Sequence, residues 1–206
     1  MKAIGEYTLY RSRWFMLSLF CLSTGSNAAL WTTFAPISTD ASIFFFNNTT
    51  SYVAVNMIAL LYQICYLPGT IMASVLVERA GLRSAVVAGT ALTAVGAGVR
   101  YAAAHALGGS TTSYALVLCG QALCAVAQPC FVNAPGLLAA NWFGANERDA
   151  ATTVASLFAV IGNAVGQIMP PAMVSSDSEG NVTGVVSLLL SQAILSVACL
   201  VGVYFG

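Results

Sequence analysis

Six long apolar runs, parted by short polar gaps, set the pattern of this chain. They cover about residues 14–37, 52–76, 84–107, 113–139, 150–174 and 182–206. Each reaches the ~20 residues that an α-helix needs to cross a ~30 Å hydrocarbon core. The pattern predicts an all-α polytopic membrane protein, with six transmembrane helices forming one bundle over 14–206 behind a short polar segment over 1–13. The run that begins at Trp14 is too long for a signal-peptide core and lacks a small-residue cleavage pattern, so it predicts a first spanning helix. The tightest knot of charge is Val77–Arg83, Val-Glu-Arg-Ala-Gly-Leu-Arg, between the second and third runs. Glu78, Arg79 and Arg83 cannot rest in hydrocarbon, so this stretch predicts a short hairpin at a water interface.

Composition narrows the class. Of 206 residues, 58% are hydrophobic and 7% charged, with a mean hydropathy of +0.82. A soluble domain carries about a quarter charged residues. The expected partners are therefore the lipid bilayer and a small-molecule substrate. No basic, aromatic-interleaved patch points to nucleic acid. Cys21, Cys65, Cys119, Cys124, Cys130 and Cys199 all fall inside apolar runs without metal-ligand spacing, so no disulfide framework, metal site or cofactor is expected. No Asp or Glu interrupts the middle of a run, which leaves an enzyme without acid–base machinery.

Charge then orients the runs. If they alternate across the membrane, Lys2, Arg11, Arg13, Arg79, Arg83 and Arg148 share one side, and Asp40, Asp177 and Glu179 share the other. The positive-inside rule puts the amino terminus in the cytoplasm. Asn47, Asn48 and Asn181 each open a glycosylation sequon on the outer side, as expected of a multi-pass plasma-membrane protein. Arg100 falls in the outer third of the third run and is expected to snorkel to the outer headgroups. His105 lies in the gap just beyond. The sixth run is still apolar at Gly206 and meets no basic anchor, which predicts a further segment after it.

Polar residues inside the runs carry the candidate chemistry. Asn27, the pair Asn56 and Gln63, the trio Gln121, Gln128 and Asn133, and the pair Asn163 and Gln167 lie on four runs. Spacings of seven or four place Asn56 with Gln63, Gln121 with Gln128, and Asn163 with Gln167 on common helix faces. Such amides either bond neighbouring helices or line a hydrated cavity. Distributed over four runs, they predict a shared cavity. Trp31 follows Asn27 by one turn, and Tyr66 follows Tyr62 likewise. These rings serve either as packing or as an aromatic wall for a cationic ligand. Gly162 and Gly166 form Gly-x-x-x-Gly ahead of Pro170-Pro171, which reads as close packing ended by a break, or as a hinge for alternating access. Pro68, Pro129 and Pro135 carry the same two readings.

Two sets of motifs point to a family. With Ser74 ahead of it, the Val77–Arg83 stretch resembles the inner-loop motif of the major facilitator superfamily. Glu78 stands at its acid, Arg79 at its first arginine, Gly81 at its second glycine and Arg83 at its last basic position, while Ser74 and Leu82 depart from it. The second set is Asn27-Ala-Ala-Leu-Trp31, Tyr66-Leu-Pro68, Gly81-Leu-Arg83, Gly120-Gln-Ala-Leu-Cys124 with Val126-Ala-Gln128, Trp142-Phe-Gly144 with Glu147, and Ala164-Val-Gly166 with Pro170-Pro171. In that order they resemble the feline leukaemia virus subgroup C receptor family over about residues 23–174.

The resemblance implies a twelve-helix major facilitator fold of which this chain is the amino-terminal bundle, with a missing carboxy-terminal six-helix half as partner. It implies a transporter of a small organic solute working by alternating access, most simply a choline- or ethanolamine-like one. Haem, also associated with the family, is the second substrate reading. A non-transporting receptor or scaffold is the alternative of another class. Trp31 matches the cation–π wall of the family's choline site and Asn27 its helix-one asparagine. Gln128, Tyr62 and Tyr66 complete the expected substrate set, and Glu78, Arg79, Gly81 and Arg83 the inner gate. Val160 stands where that choline site carries a helix-five glutamine, and Arg100 at a position that is also basic in the family.

Overall fold

Helix follows helix along the chain. The computed structural model describes residues 12–46, 51–176 and 181–206, so the sequons at Asn47 and Asn48 lie outside the described residues. The helices are α1 (Arg13–Thr32), α2 (Ser38–Phe46), α3 (Tyr52–Leu107), α4 (Thr111–Ala127), α5 (Pro129–Val132), α6 (Pro135–Trp142), α7 (Arg148–Met173) and α8 (Val185–Phe205). A small antiparallel pair, β1 (Ser175–Ser176) and β2 (Val182–Thr183), joins the last two and sets Ser175 opposite Thr183.

Four helical stretches among the described residues are long and apolar enough to cross a membrane: Tyr52–Leu107, Thr111–Val132, Arg148–Met173 and Val185–Phe205. Such a chain is a multi-pass membrane protein. The 20-residue α1 is not among the four, because it carries Ser23, Thr24, Ser26 and Asn27, all buried inside the bundle. A continuous 56-residue α3 would run ~84 Å, far beyond a bilayer. It is in fact two rods. Gly81, at φ 83° and ψ 169°, leaves helical geometry and breaks the axis. The expected hairpin over Val77–Arg83 is thus a one-residue break between helices that otherwise run on to either side.

Other expectations need correction. The gap holding Asp40 is helical rather than open loop. Ala41 and Phe45 of α2 are buried, and the Phe45 ring meets Phe34 at 6.1 Å and Tyr114 at 6.0 Å. The fourth run is not one rod. Pro129 and Pro135 begin α5 and α6, where the missing N–H is tolerated but the preceding helix cannot continue. Pro170 and Pro171 do not end α7, which runs on to Met173. Arg100 does not snorkel: its side chain is fully buried in the bundle.

Three clusters of buried side chains succeed one another along the bundle. One joins Leu17, Phe20, Phe131, Leu138 and Phe143, the second Leu30, Tyr62, Ala97 and Cys124, and the third Phe34, Phe45, Ile58, Val117 and Leu188. Glycines let the backbones close in. A Cβ on Gly162 would strike the backbone of Gly25, with its Cα at 2.6 Å, and one on Gly166 would sit 2.8 Å from the Ala29 Cα. This is the α1–α7 seam, and Thr32 Oγ1 donates across it to the Asn163 carbonyl at 3.1 Å. The α3–α4 seam is built alike on Gly96 and Gly120, where a Cβ on Gly120 would lie 2.6 Å from the Gly96 oxygen.

The first cluster's end of the bundle gathers the charges. Arg13 pairs with Glu147 at 3.0 Å, Arg148 donates to the Phe143 and Ala140 carbonyls, and Arg83 reaches the Tyr204 carbonyl at 3.4 Å. Arg79 and Glu78 are exposed nearby in sequence, at the end of the first α3 rod.

Candidate functional site

An open cavity of about 280 Å3 lies between α1, the first α3 rod, the Gln128 junction and α7. Thr24, Asn27 and Trp31 reach it from α1, Gln63 and Tyr66 from α3, and Gln128, Val132 and Asn163 from the far side. Turn spacing explains the set: Thr24, Asn27, Ala28 and Trp31 form one stripe at intervals of three, one and three, as do Gln63 and Tyr66 at three. Four amides, two hydroxyls and three aromatic rings, Phe131 being the third, therefore face one space, and no carboxylate lines it.

Each wall is fixed from behind. Asn27 spends its Nδ2 on Thr93 Oγ1 at 3.0 Å and on the Cys124 carbonyl at 2.9 Å. The Trp31 indole N–H donates to the Ala59 carbonyl at 3.3 Å, which holds the ring plane, and the Tyr66 hydroxyl donates to Asn133 Oδ1 at 3.2 Å. Tyr62 does not line the cavity. It is fully buried and stacks on the inner side of Trp31, with centroids 6.1 Å apart and planes at 28°. The stripe of Gln121 and Gln128 also divides. Gln121 is fully buried and donates to the Leu30 carbonyl at 3.2 Å, whereas Gln128 sits at the α4–α5 break and turns to the cavity.

The remaining expected residues lie elsewhere. Glu78 edges a second cavity of about 200 Å3 beside Ser74 and Asn133. Gly81 and Arg83 border an apolar space of about 300 Å3 at the charged end, with Met16, Asn141 and Trp142. Gly162 and Gly166 face α1 rather than the cavity, and Pro170 is buried at the end of the same helix. Asn181 lies next to β2. His105 is exposed and stacks on Tyr101 at 5.5 Å. Sequence reasoning missed the buried group of Arg100, Tyr62, Cys124 and Gln192. The small residues Gly96 and Gly120, which mark where α3 and α4 touch, were the available signal.

Physically, the cavity can hold a small organic solute against its aromatic rings and orient it through amides. Its lining holds no carboxylate, imidazole, amine or thiol, and no cluster of three metal-ligating side chains occurs among the described residues.

Several known proteins are similar to this chain. Solute carrier family 49 member A3 of Danio rerio is 32% identical over 200 residues, covering 97% of this chain and 40% of that protein. The Homo sapiens choline/ethanolamine transporter FLVCR2 is 29% identical over 164 residues, covering 80% of this chain and 30% of that protein. The Mus musculus choline/ethanolamine transporter FLVCR1 is 29% identical over 175 residues, again 30% of its length. The chain thus spans two fifths or less of each of these relatives. The family model of the Major Facilitator Superfamily matches residues 14–206, which takes in all eight helices but the first residue of α1, and the chain belongs to that superfamily.

Proposed function

We propose that this chain is the amino-terminal bundle of a twelve-helix facilitator that carries a choline- or ethanolamine-like solute by alternating access. Its six crossings would be α1, the two rods of α3, the broken α4–α6, α7 and α8. The amino terminus would lie in the cytoplasm and Asn47, Asn48 and Asn181 outside, in the plasma membrane. The second six-helix half would close the cavity from its open side. Glu78, Arg79 and Arg83, exposed around the Gly81 break, would latch the inner gate.

One observation carries the substrate class. Trp31 presents its ring to a cavity whose polar groups are all neutral, so a quaternary or primary ammonium would be held by the aromatic face rather than by an ion pair. The printed names of two relatives, choline/ethanolamine transporters, support the same class. A haem reading would draw on Arg100 and His105 for the propionates, yet neither borders the cavity.

Labelled choline uptake into cells expressing the full-length protein tests the proposal. Uptake above empty vector is expected, with Trp31→Ala lowering it about tenfold or more at low choline, the scale of one desolvated cation–π contact. Surface-expressed protein that moves no choline would overturn the choline reading and bring the receptor or scaffold alternative forward.

A further inference from the structure

Arg100 is the odd residue of this bundle. Its guanidinium is fully buried, sits 5.2 Å over the Phe34 ring, and makes one long hydrogen bond, Nη2 to Gln192 Oε1 at 3.4 Å. Gln192 is itself committed, its Nε2 donating to Thr33 Oγ1 at 2.9 Å. Nε and Nη1 of Arg100 have no oxygen acceptor, and neither does the buried Tyr62 hydroxyl, so the weakly accepting Cys124 sulfur is what lies beside them. Tyr62 and Arg100 both lie against the Cys124 thiol, so these donors converge on one region.

Among the described residues, the groups set against Arg100 are neutral: Phe34 after α1, Tyr62 on α3, Cys124 on α4 and Gln192 on α8. Among the described residues the one ion pair is Arg13 with Glu147, at the far charged end. Water could accept from the free donors, but it would leave the net charge of the guanidinium uncompensated in a medium of low dielectric. A small anion does both. The fold also makes room for the cation. Gly120 lacks the Cβ that would come within 2.9 Å of the Arg100 Cγ.

We infer that this bundle holds a small monovalent anion, chloride in size, on Arg100 Nε and Nη1 and the Tyr62 hydroxyl. The site lies behind the candidate substrate wall, since the Tyr62 ring stacks on Trp31. An occupied site fixes Tyr62 and so stiffens Trp31, and this holds whatever the cavity carries.

The test uses the purified full-length protein, its Tm followed as chloride replaces gluconate at matched ionic strength. The wild type is expected to show a saturable upward shift of several degrees, and Arg100→Gln none. Gln192→Glu sets a carboxylate where the amide oxygen now lies 3.4 Å from Nη2, supplying the missing negative charge from the protein itself. That variant is expected to fold with a Tm indifferent to chloride. A wild type indifferent to chloride overturns the inference, as does an Arg100→Gln protein that keeps the shift. Should Arg100→Gln fail to fold, Gln192→Glu decides: a chloride response equal to the wild type's overturns the site. Choline uptake does not enter these readouts, so this inference and the transport proposal fail separately.

Discussion

Arg13 and Arg100 put the same guanidinium into opposite surroundings. Arg13 stands at the charged end, 15% exposed, with a carboxylate at 3.0 Å and the Trp14 and Phe143 rings each 5.9 Å away. Arg100 lies mid-bundle with one ring, one amide oxygen and no carboxylate. At the end, the charge has its own carboxylate in a partly exposed pair, so losing the ion pair is expected to cost about 1 kcal/mol. In the interior an uncompensated charge costs several kcal/mol, on the order of a whole domain's margin, so the poorer-looking contact set bears more of the fold. A drawn salt bridge is therefore a weak guide to where charge matters.

Three substitutions probe that contrast, and the largest effect belongs to the interior. Gly120→Leu would drive a side chain into the Gly96 carbonyl and the Arg100 stem, distances of 2.6 and 2.9 Å from its first carbon. A loss of about 3 kcal/mol or more is expected, read as disappearance of the monodisperse peak in size-exclusion chromatography. A normal peak would mean that the α3–α4 seam can open around Arg100. Smaller is Thr93→Val, which strips Asn27 of one of its two acceptors while keeping the shape. It should cost about 1–2 kcal/mol, visible as a lowered Tm. An unchanged Tm would place little weight on the buried polar layer. Smallest is Glu147→Gln at the other arginine, expected to lower stability by at most about 1 kcal/mol. High salt should erase the difference, because the pair is partly exposed. If this variant proved worse than Thr93→Val, the ranking of the two regions would be reversed.

The residues that could be read from the sequence were those whose neighbours are local. Run lengths and the charged punctuation at Glu78–Arg83 depend on the chain's own order, and the helical break at Gly81 lies inside that punctuation. The seam at Gly162 and Gly166 was legible for a similar reason, since two glycines a turn apart announce close backbone approach. Arg100 was misplaced because its burial depends on Gly96 and Gly120, which meet only once α3 lies against α4. Tyr62 and Tyr66 share a face by spacing. Yet one turn of drift, about 40°, is enough to put Tyr62 behind Trp31 while Tyr66 meets the cavity. Gln121 and Gln128 parted because Pro129 interrupts the helix that would have aligned them. The α2 helix depended on Phe45 finding Phe34 and Tyr114, contacts that no window of sequence contains.

The break at Gly81 has a last consequence. Nothing lies within 4 Å of where a Cβ would stand there, so the position has no demand on size. Its φ of 83° with ψ of 169° is a region that L-residues other than glycine avoid, at a cost of about 1–3 kcal/mol. The requirement is one of handedness alone. A D-alanine introduced at 81 by semisynthesis would find its mirror-image conformation in ordinary extended space, free of that backbone strain. L-alanine, an isomer with the same atoms, would strain the junction between the two rods of α3.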